Sequence, residues 1–438
     1  MQQSRTKTLI RYVLPSILSS SCYFLFTVID GIFIGQGVGT DALGAINILF
    51  PFIMIANALF LLTTIGGVSV VAVRMGRGDT EGANSAFLHS LCLTFTFSVI
   101  LCIVGTVFPR ELTILLGGED PAFLQPCIDY LFTYSLFFIP SGLSMAMQNY
   151  CRNDGAPGIV AAATVIGTLI NIFGDWLLIF PFKMGMTGAA LATGVSQTVI
   201  FLIVLSHFVF KKGSLRIKPF RIERPVIGKI FLRGLPECIA QFSVPVSTIC
   251  MNYVLLDLQG TLGVNTYSLL AYVASFAVAV FAGTAQGLQP LFGQSYGAKS
   301  RTDLSYFLRS GVIINIAGST FINVLLIFVS KPVCELFGAD EVTMKNAVDN
   351  MLFFSWGFIV ESMNSILSAY LYSTKRSREA IFLNVLRSFV FNTAVTLLLP
   401  YLWKAECAVW MTFGIYQALV MIAAIITTRI SDKKLKFI

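Results

Sequence analysis

Long apolar runs separated by short polar connectors make up most of the chain. They fall at roughly 10–35, 46–73, 87–109, 122–149, 157–181 and 187–210, and again near 226–258, 265–296, 303–330, 342–373, 379–402 and 406–429. Each run reaches the length of about 20 residues that a helix needs to cross a bilayer. Hydrocarbon offers no partner for backbone polar groups, and the alternation of a lipid-facing barrel strand is missing, so each run predicts a helix. We expect an all-α integral membrane protein with twelve transmembrane helices.

The composition supports a membrane protein. Hydrophobic residues make up 56% of the 438 positions and charged residues only 12%, against about 45–50% and about 25% in soluble domains. The net charge of +8 could indicate a nucleic-acid partner. The charges lie in short connectors rather than on one exposed face, so we expect no nucleic acid and explain the positive balance by topology.

Motifs of other functional classes are missing from the sequence. No glycine-rich loop ends in a Gly-Lys pair, which argues against an ATP-driven pump on this chain. The nine cysteines and two histidines do not have metal-ligand spacing. We therefore expect no enzyme, no cofactor and no zinc site, and interpret the cysteines as buried free thiols.

Basic residues set the expected orientation. They cluster in alternate connectors, as in 211–233 and 375–378, and at both termini. The opposite connectors hold only isolated basic residues, at Arg110, Lys183, Lys331, Lys345 and Lys404. The positive-inside rule makes the richer side cytoplasmic, so we expect a multi-pass protein of the plasma (cytoplasmic) membrane with both termini in the cytoplasm. The stretch 211–233 could also contact anionic membrane lipids, although a plain connector is the favoured interpretation.

The twelve predicted helices form two sets of six. An offset of 221 places Pro15 on Pro236 and Asn171 on Asn392. One constant offset from the first helix to the fifth indicates an internal duplication, and an even number of helices makes the copies parallel repeats. We expect a pseudo-symmetric pair of bundles with a central cavity, which is typical of a transporter. The expected domains are a six-helix bundle at 1–210, a cytoplasmic linker at 211–225 and a second bundle at 226–438.

Acidic residues inside the first bundle are the main candidates for function. Asp30 lies about 8 Å below the outer end of the first predicted helix, and Asp175 lies at almost the same depth of the fifth. Asn171 is one turn beneath Asp175 on the same face, and Thr193 of the sixth helix reaches the same level. A charged aspartate in the bilayer costs about 2.5–3.5 kcal/mol, so one that is present usually serves ions or substrate.

These four side chains predict a cation switch. Two neighbouring buried carboxyl groups repel each other when both are ionised, so at least one should hold a proton near neutral pH. Oxygen ligands could instead bind Na⁺ in place of the proton. The structural alternative is that each aspartate merely hydrogen-bonds a neighbouring helix.

The chain resembles the multidrug and toxic compound extrusion (MATE) transporters along essentially its whole length. The resemblance rests on "DGIFIGQGVGTDALGAINILFP", "GGVSVVAVRMGRGDTEGA", "NIFGDWLLI", "GAALATGVSQ" and "GLQPLFGQSYGAK", in this order in a twelve-helix duplicate. It implies cation-coupled antiport by alternating access, in which H⁺ or Na⁺ enters as bulky, often cationic organic compounds leave. It also implies small organic substrates, a monomer in contact with membrane lipids, and no cofactor besides the coupling ion.

Within the family, the DinF-type branch is the most similar. That branch implies a cation site at the positions of Asp30, Asn171, Asp175 and Thr193, and bending of the first helix at the position of Pro15. A proline weakens a helix locally, so a hinge is physically reasonable, and a passive kink is the alternative. The NorM-type branch uses an acid in the seventh helix near the position where this chain has Pro245, which argues against a site of that type.

Substrate should bind in an apolar, aromatic cavity with a few polar groups. The candidates are Tyr23, Phe26, Tyr134, Gln241 and Glu361. Glu361 lies in the middle of the tenth predicted helix, where it could bind cationic substrate or a second ion, or be a neutralised structural acid. Glu237 and Asp257 lie nearer helix ends and are expected to contact water.

Two other transport classes remain open. A flippase for a lipid-linked saccharide or lipid would use the same architecture. The related flippases, however, commonly carry extra helices and have strongly basic cavities. In this chain Arg387 is the basic residue placed deep in a predicted helix. A channel would carry a repeated ring of charges rather than one off-centre acidic pair.

Overall fold

The computed structural model describes residues 2–218, 221–336 and 341–434, and every regular element in these ranges is a helix. The last residues, 435–438, on which the expectation of a cytoplasmic C-terminus partly falls, lie outside them. The helices of the first half are α1 (Gln2–Gly37), α2 (Thr40–Gly76), α3 (Thr80–Val107), α4 (Pro109–Leu115), α5 (Pro121–Ser135), α6 (Phe138–Asn153), α7 (Pro157–Ile179) and α8 (Gly185–Val209). Those of the second half are α9 (Arg224–Ala240), α10 (Ser243–Gly297), α11 (Arg301–Leu336), α12 (Glu341–Ser355), α13 (Gly357–Ser373), α14 (Ser377–Val385), a π-helical turn (Leu386–Phe391), α15 (Asn392–Leu402) and α16 (Ala408–Lys434).

These helices match the twelve predicted membrane crossings. Nine helical stretches of the described residues are long and apolar enough to cross a bilayer on their own, and the bent pair α5 and α6 forms another. The stretch from α9 to the end of α10 supplies two crossings, because Gly260 breaks α10 with φ 62° and ψ −149°, a conformation open chiefly to glycine. The pair α12 and α13 occupies the tenth crossing, so the all-α fold with twelve crossings is confirmed.

Several predicted single helices are broken. The fourth crossing bends by 54° between α5 and α6, and the tenth divides between α12 and α13. The short helix α4 lies in a connector that the apolar pattern did not resolve. Such breaks are tolerated at membrane depth where other protein groups satisfy the freed backbone.

The chain divides into two compact units, Met1–Gly234 and Leu235–Ile438. The boundary falls within α9, beyond the linker that the sequence suggested at 211–225. The reason is that the start of α9 packs on the first unit, where Val226 and Ile230 are buried in the same apolar cluster as Phe87 and Tyr150. Arg233 also donates a hydrogen bond of 3.0 Å to the carbonyl of Ser69.

Two buried polar groups attach the linker to the first unit. The Asp154 carboxylate accepts hydrogen bonds from the backbone N–H and the hydroxyl of Ser214, and it lies 3.0 Å from Nε2 of His207. The backbone N–H of Glu223 donates to Nε2 of His89 at 2.7 Å. His89 therefore bonds the linker directly, whereas His207 contacts the Asp154 carboxylate that holds it.

The second unit is built around an aromatic cluster. Phe354 stacks on Phe413 with ring centroids 5.0 Å apart, and Phe358 meets Phe413 edge-on at 6.0 Å. Trp410 is fully buried in the same cluster. Aromatic pairs of this geometry add about 0.5–1.5 kcal/mol each beyond area burial.

Three side chains of one helical face bind the seventh crossing of the chain. It is the first crossing of the second unit and is broken between α9 and α10. Asn384 donates to the carbonyl of Pro236 at 2.7 Å, Ser388 to that of Ile239 at 3.4 Å, and Asn392 to that of Ser243 at 3.1 Å. The three bonds therefore tie residues on both sides of the break between α9 and α10 to the segment 384–392. We call the three bonds the amide ladder.

The cysteines are free throughout the described residues. Cys127, Cys151, Cys250 and Cys334 are buried, as expected, whereas Cys92 is exposed on α3. For Cys92 the expectation of burial is wrong, because one face of a helix that borders lipid needs no protein cover.

Candidate cation site and substrate residues

Pro15 lies inside α1, which runs without interruption from Gln2 to Gly37. Proline has no N–H to donate to the carbonyl four residues before it, here Arg11. Ser19 donates its hydroxyl to the Pro15 carbonyl at 2.9 Å. The described conformation of α1 therefore contains a weak point at Pro15 but no break, and bending there stays a prediction.

Small residues bring α7 and α8 close together around the predicted site. A Cβ placed on Gly174 would lie 3.1 Å from the Cβ of Ala192, and one on Gly167 would lie 2.3 Å from Ile200. Small residues at such positions let helix backbones approach each other in membranes. This close packing buries Asn171, Asp175 and Thr193, the first two completely.

The four predicted cation ligands lie together. Asn171 donates a long hydrogen bond of 3.5 Å to the hydroxyl of Thr193, and its amide lies beside the Asp175 carboxyl group. The carboxyl groups of Asp30 and Asp175 face each other within hydrogen-bonding reach. The described coordinates thus bring residues of α1, α7 and α8 to one point of the first unit, as the sequence analysis expected.

This cluster has an excess of buried oxygen acceptors. Within the described residues, Oδ1 of Asp30, both carboxyl oxygens of Asp175 and Oδ1 of Asn171 are buried without a hydrogen-bond donor. An unpaired buried polar atom costs about 1–3 kcal/mol, more when it is charged. A proton between the two carboxyl groups, or a cation among the four oxygens, would remove this cost.

Two phenol rings of α5 lie near the two carboxyl groups. Tyr130 and Tyr134 stack with ring centroids 5.6 Å apart, and both lie within electrostatic range of Asp30. Tyr134 also meets Phe138 edge-on at 5.3 Å. Tyr134 was a candidate from the sequence and Tyr130 was not, although the spacing of four residues in "DYLFTYS" places both rings on one face of a helix.

The other predicted substrate residues divide between the two units. Tyr23 is 50% exposed and lies 5.6 Å from the buried ring of Phe26, and its phenol is within electrostatic range of Asp30. Gln241 lies in the break between α9 and α10, and Glu361 is buried on α13. Tyr23, Phe26 and Tyr134 therefore accompany the candidate cation site, whereas Gln241 and Glu361 belong to the second unit.

Glu361 has a charged partner. Its Oε1 forms an ion pair with Nη2 of Arg387, which comes from the π-helical turn. Glu237 is half-buried, and it lies within electrostatic range of the same guanidinium. Asp257, by contrast, is exposed and accepts a hydrogen bond of 2.7 Å from Tyr401.

The duplicated helical fold, with its buried carboxyl pair, defines a class: a membrane transporter built from two six-helix repeats. A family model described as MatE matches residues 15–177 and 236–398. Both ends of the second segment lie 221 residues beyond those of the first, the offset that aligns Pro15 with Pro236. The chain belongs to the MatE family, whose members are transporters rather than enzymes.

Curated relatives and a solved structure agree with this assignment. The multidrug export protein MepA of Staphylococcus aureus is 21% identical over 389 residues, which cover 88% of this chain and 85% of MepA. The probable multidrug resistance protein YoeA of Bacillus subtilis is 22% identical over 82% of this chain and 79% of its own length. The outward-facing structure of a multidrug resistance MATE transporter superposes with a TM-score of 0.93 at 21% identity, over 99% of this chain and 97% of that one. The match shows that the fold is that of MATE transporters.

Proposed function

We propose that the protein exports bulky, often cationic organic compounds in exchange for H⁺ or Na⁺, with the cation bound at Asp30, Asn171, Asp175 and Thr193. The observation that carries this proposal is the group of donor-poor buried oxygens around the two facing carboxyl groups. Such a group is stable only when a proton or a metal cation balances it.

Occupancy of the site couples the cation to the conformation of the first unit. With a cation or proton bound, α1 and α7 attract each other through Asp30 and Asp175. When the ion leaves, two like charges face each other in a medium of low dielectric constant, and the helices repel. Pro15 weakens α1 between this site and its N-terminal end, so the repulsion can be relieved by bending at that residue.

The export of drugs is supported by the relatives. MepA is a multidrug export protein and YoeA a probable multidrug resistance protein, and both share most of their length with this chain. In the first unit, Tyr23, Phe26 and Tyr134 would supply the aromatic wall that flat organic cations prefer. Gln241 and Glu361 are the polar candidates for substrate binding in the second unit.

We extend the same proposal to the setting of the protein. It acts as a monomer in the plasma membrane, surrounded by lipid, with both termini in the cytoplasm, as the distribution of Lys and Arg indicates. The two bundles at 1–210 and 226–438 are joined by the linker at 211–225. The four oxygen-bearing residues favour the DinF-type branch of the family.

A flippase for a lipid-linked saccharide or lipid is the alternative, and it has less support. A lipid phosphate needs a free cationic partner inside the protein. The guanidinium of Arg387 is already paired with Glu361. The relatives described above are also drug exporters rather than lipid carriers.

The test is transport in liposomes that contain the purified protein. A fluorescent organic cation is followed while a proton gradient or a sodium gradient is imposed, one at a time. Asp30→Asn and Asp175→Asn should each abolish the gradient-driven component, whereas Asp129→Asn, an acid of the same unit bonded to Gln125 at the surface, should not. Normal export by both site variants would overturn the assignment. The gradient that drives transport identifies the coupling ion.

A further inference from the structure

The second unit contains a buried cluster of charges that the cation site does not use. Arg387 and Glu361 form its central ion pair, with side chains only 15% and 3% exposed. Glu237 of α9 lies within electrostatic range of Arg387, and the amide of Gln417 of α16 lies beside the Glu361 carboxyl group. Helices α9, α13 and α16 and the π-helical turn thus meet at one point.

The central ion pair leaves atoms unsatisfied on both sides. Oε2 of Glu361 and Nε of Arg387 are buried and make no hydrogen bond of good geometry with the described residues. The guanidinium could form the planar, two-bonded pair that it makes best with a carboxylate, but here a single nitrogen contacts a single oxygen. The arrangement is therefore not the most stable pair that these two residues could form.

The charges of the cluster do not balance either. Glu361 and Glu237 carry two negative charges when both are ionised, and Arg387 carries one positive charge. Glu237 is half-buried, so water screens the excess negative charge only in part, and the cluster still attracts a cation. A ligand with one positive charge would balance the cluster, whereas a neutral ligand would leave the imbalance and a dication would reverse it.

We infer that Arg387 is a tethered cation that occupies Glu361 until an organic monocation displaces it. The displaced guanidinium then pairs with Glu237, so that each carboxylate has one cation. The phenol of Tyr416, which lies within electrostatic range of both Glu361 and Arg387, offers an aromatic ring beside the incoming charge.

The backbone around Arg387 fits such a displacement. Arg387 lies in the π-helical turn Leu386–Phe391, and single π-helical turns inside α-helices are frequent at functional sites. The amide ladder holds this segment on α9 and α10 through Asn384 and Asn392. The side chain of Arg387 can therefore exchange partners while its backbone stays fixed.

This inference rests on the proposed export of organic cations, but it does not depend on the Asp30 and Asp175 pair. It assigns Arg387 a role as a competitor that sets the affinity for monocations. When Arg387 is paired with Glu361 in most molecules, an organic cation binds more weakly. Only the fraction of molecules in which Glu361 is unpaired can bind it. Removal of the guanidinium should therefore tighten binding.

The experiment measures binding of tetraphenylphosphonium to the full-length protein in detergent by calorimetry. Arg387→Met removes the tethered cation and keeps an apolar side chain of similar length. It should tighten binding about tenfold, which corresponds to about 1.4 kcal/mol. Glu361→Gln should weaken binding at least as strongly, and Arg387→Met should bring no gain when Glu361→Gln is also present. Glu237→Gln should weaken binding by a smaller factor, because the displaced guanidinium loses its second partner.

The controls separate this mechanism from a structural role. Glu406→Gln changes an exposed acid of a connector and should leave binding unchanged, and Arg387→Lys keeps the charge and should bind like the unmodified protein. The melting temperature of each variant shows whether it is folded, and Arg387→Gln replaces Arg387→Met if the latter unfolds. Unchanged or weaker binding by a folded Arg387→Met would overturn the inference, and an unaffected Glu237→Gln would overturn the exchange of partners. Binding of tetraphenylphosphonium is measured without a gradient, whereas the cation site is tested by gradient-driven transport, so a failure of coupling is distinguishable from a failure of this site.

Discussion

The side-chain amide of Asn384 donates a hydrogen bond of 2.7 Å to the backbone carbonyl of Pro236, and the two repeats differ at this point. Subtracting the offset of 221 from Asn384 and Ser388 gives Ala163 and Gly167 in the first repeat. Neither side chain can donate a hydrogen bond. The third ladder residue, Asn392, corresponds to Asn171, whose amide donates to Thr193 of α8 instead. The amide ladder therefore fixes the broken crossing of the second unit, and among the described residues the equivalent positions 163, 167 and 171 of α7 make no such bonds to α1.

Removal of the amide ladder should destabilise the second unit. Asn384→Ala leaves the Pro236 carbonyl without its donor, and we expect a loss of about 1–3 kcal/mol in the free energy of unfolding. Thermal unfolding in detergent measures it. Asn350→Ala is the matched control, because the Asn350 amide bonds only Asn346 of its own helix. Equal effects of both variants would contradict the importance of the ladder.

The same asymmetry predicts different roles for the two repeat-related prolines. Pro15→Ala restores the backbone bond to Arg11 and should stiffen α1, so coupled transport should fall while the melting temperature stays level or rises. Pro236→Ala should have little effect on transport, since the ladder already fixes that crossing. Transport in liposomes and the melting temperature are measured for both variants. A larger loss of transport in Pro236→Ala would contradict a hinge at Pro15.

The carboxyl groups of Asp30 and Asp175 should lower the free energy of unfolding while they support coupled transport. Asp175→Asn replaces one of two facing acids by an amide, which can donate to Asp30 and removes the like charge. We expect the free energy of unfolding to rise by about 1 kcal/mol while gradient-driven export is lost. The control Asp129→Asn should change neither quantity. A lower melting temperature in Asp175→Asn would show that the second carboxylate is needed for folding rather than for coupling.

The sequence predicted those features that depend on local patterns. Apolar runs fixed the number of crossings, and the depth of Asp30 and Asp175 along their helices predicted their meeting. The break between α9 and α10 was not predictable, because the side chains that hold its two sides, Asn384 and Asn392, lie about 150 residues away along the chain. Long-range side-chain bonds leave no periodic signal.

The pairing of charged residues in the second unit was not predictable for the same reason. Glu361 and Arg387 were each noticed as polar residues inside apolar runs, but their pairing depends on how α13 packs against the π-helical turn. Tyr130 was missed for a different reason. Its spacing to Tyr134 was visible, but the chain has 14 tyrosines, and only the position of α5 beside Asp30 distinguishes this pair from the others.

The stacked phenols of α5 should contribute through their rings and their hydroxyl groups separately. Tyr134→Phe keeps the stack on Tyr130 and should retain the affinity for a flat organic cation, whereas Tyr134→Ala should weaken it by about 1 kcal/mol or more. Tyr130→Phe removes a hydroxyl near both carboxyl groups and should alter coupling more than affinity. Calorimetric binding and gradient-driven export separate the two effects. Equal losses of affinity in Tyr134→Phe and Tyr134→Ala would assign the contribution to the hydroxyl group instead.

The linker should become accessible to protease when its anchor is removed. Asp154 holds the backbone N–H groups of Ser214 and Leu215 and faces His207. Asp154→Asn removes the negative charge that strengthens these hydrogen bonds, so the linker should detach more often. Trypsin should then cut faster at the basic residues that follow, such as Arg216. The rate of cleavage in membrane vesicles measures the change, with Asp257→Asn, an exposed acid of α10, as control. Because cleavage requires access from the cytoplasmic side, inside-out vesicles should be cut and right-side-out vesicles protected, and the reverse result would contradict the expected topology.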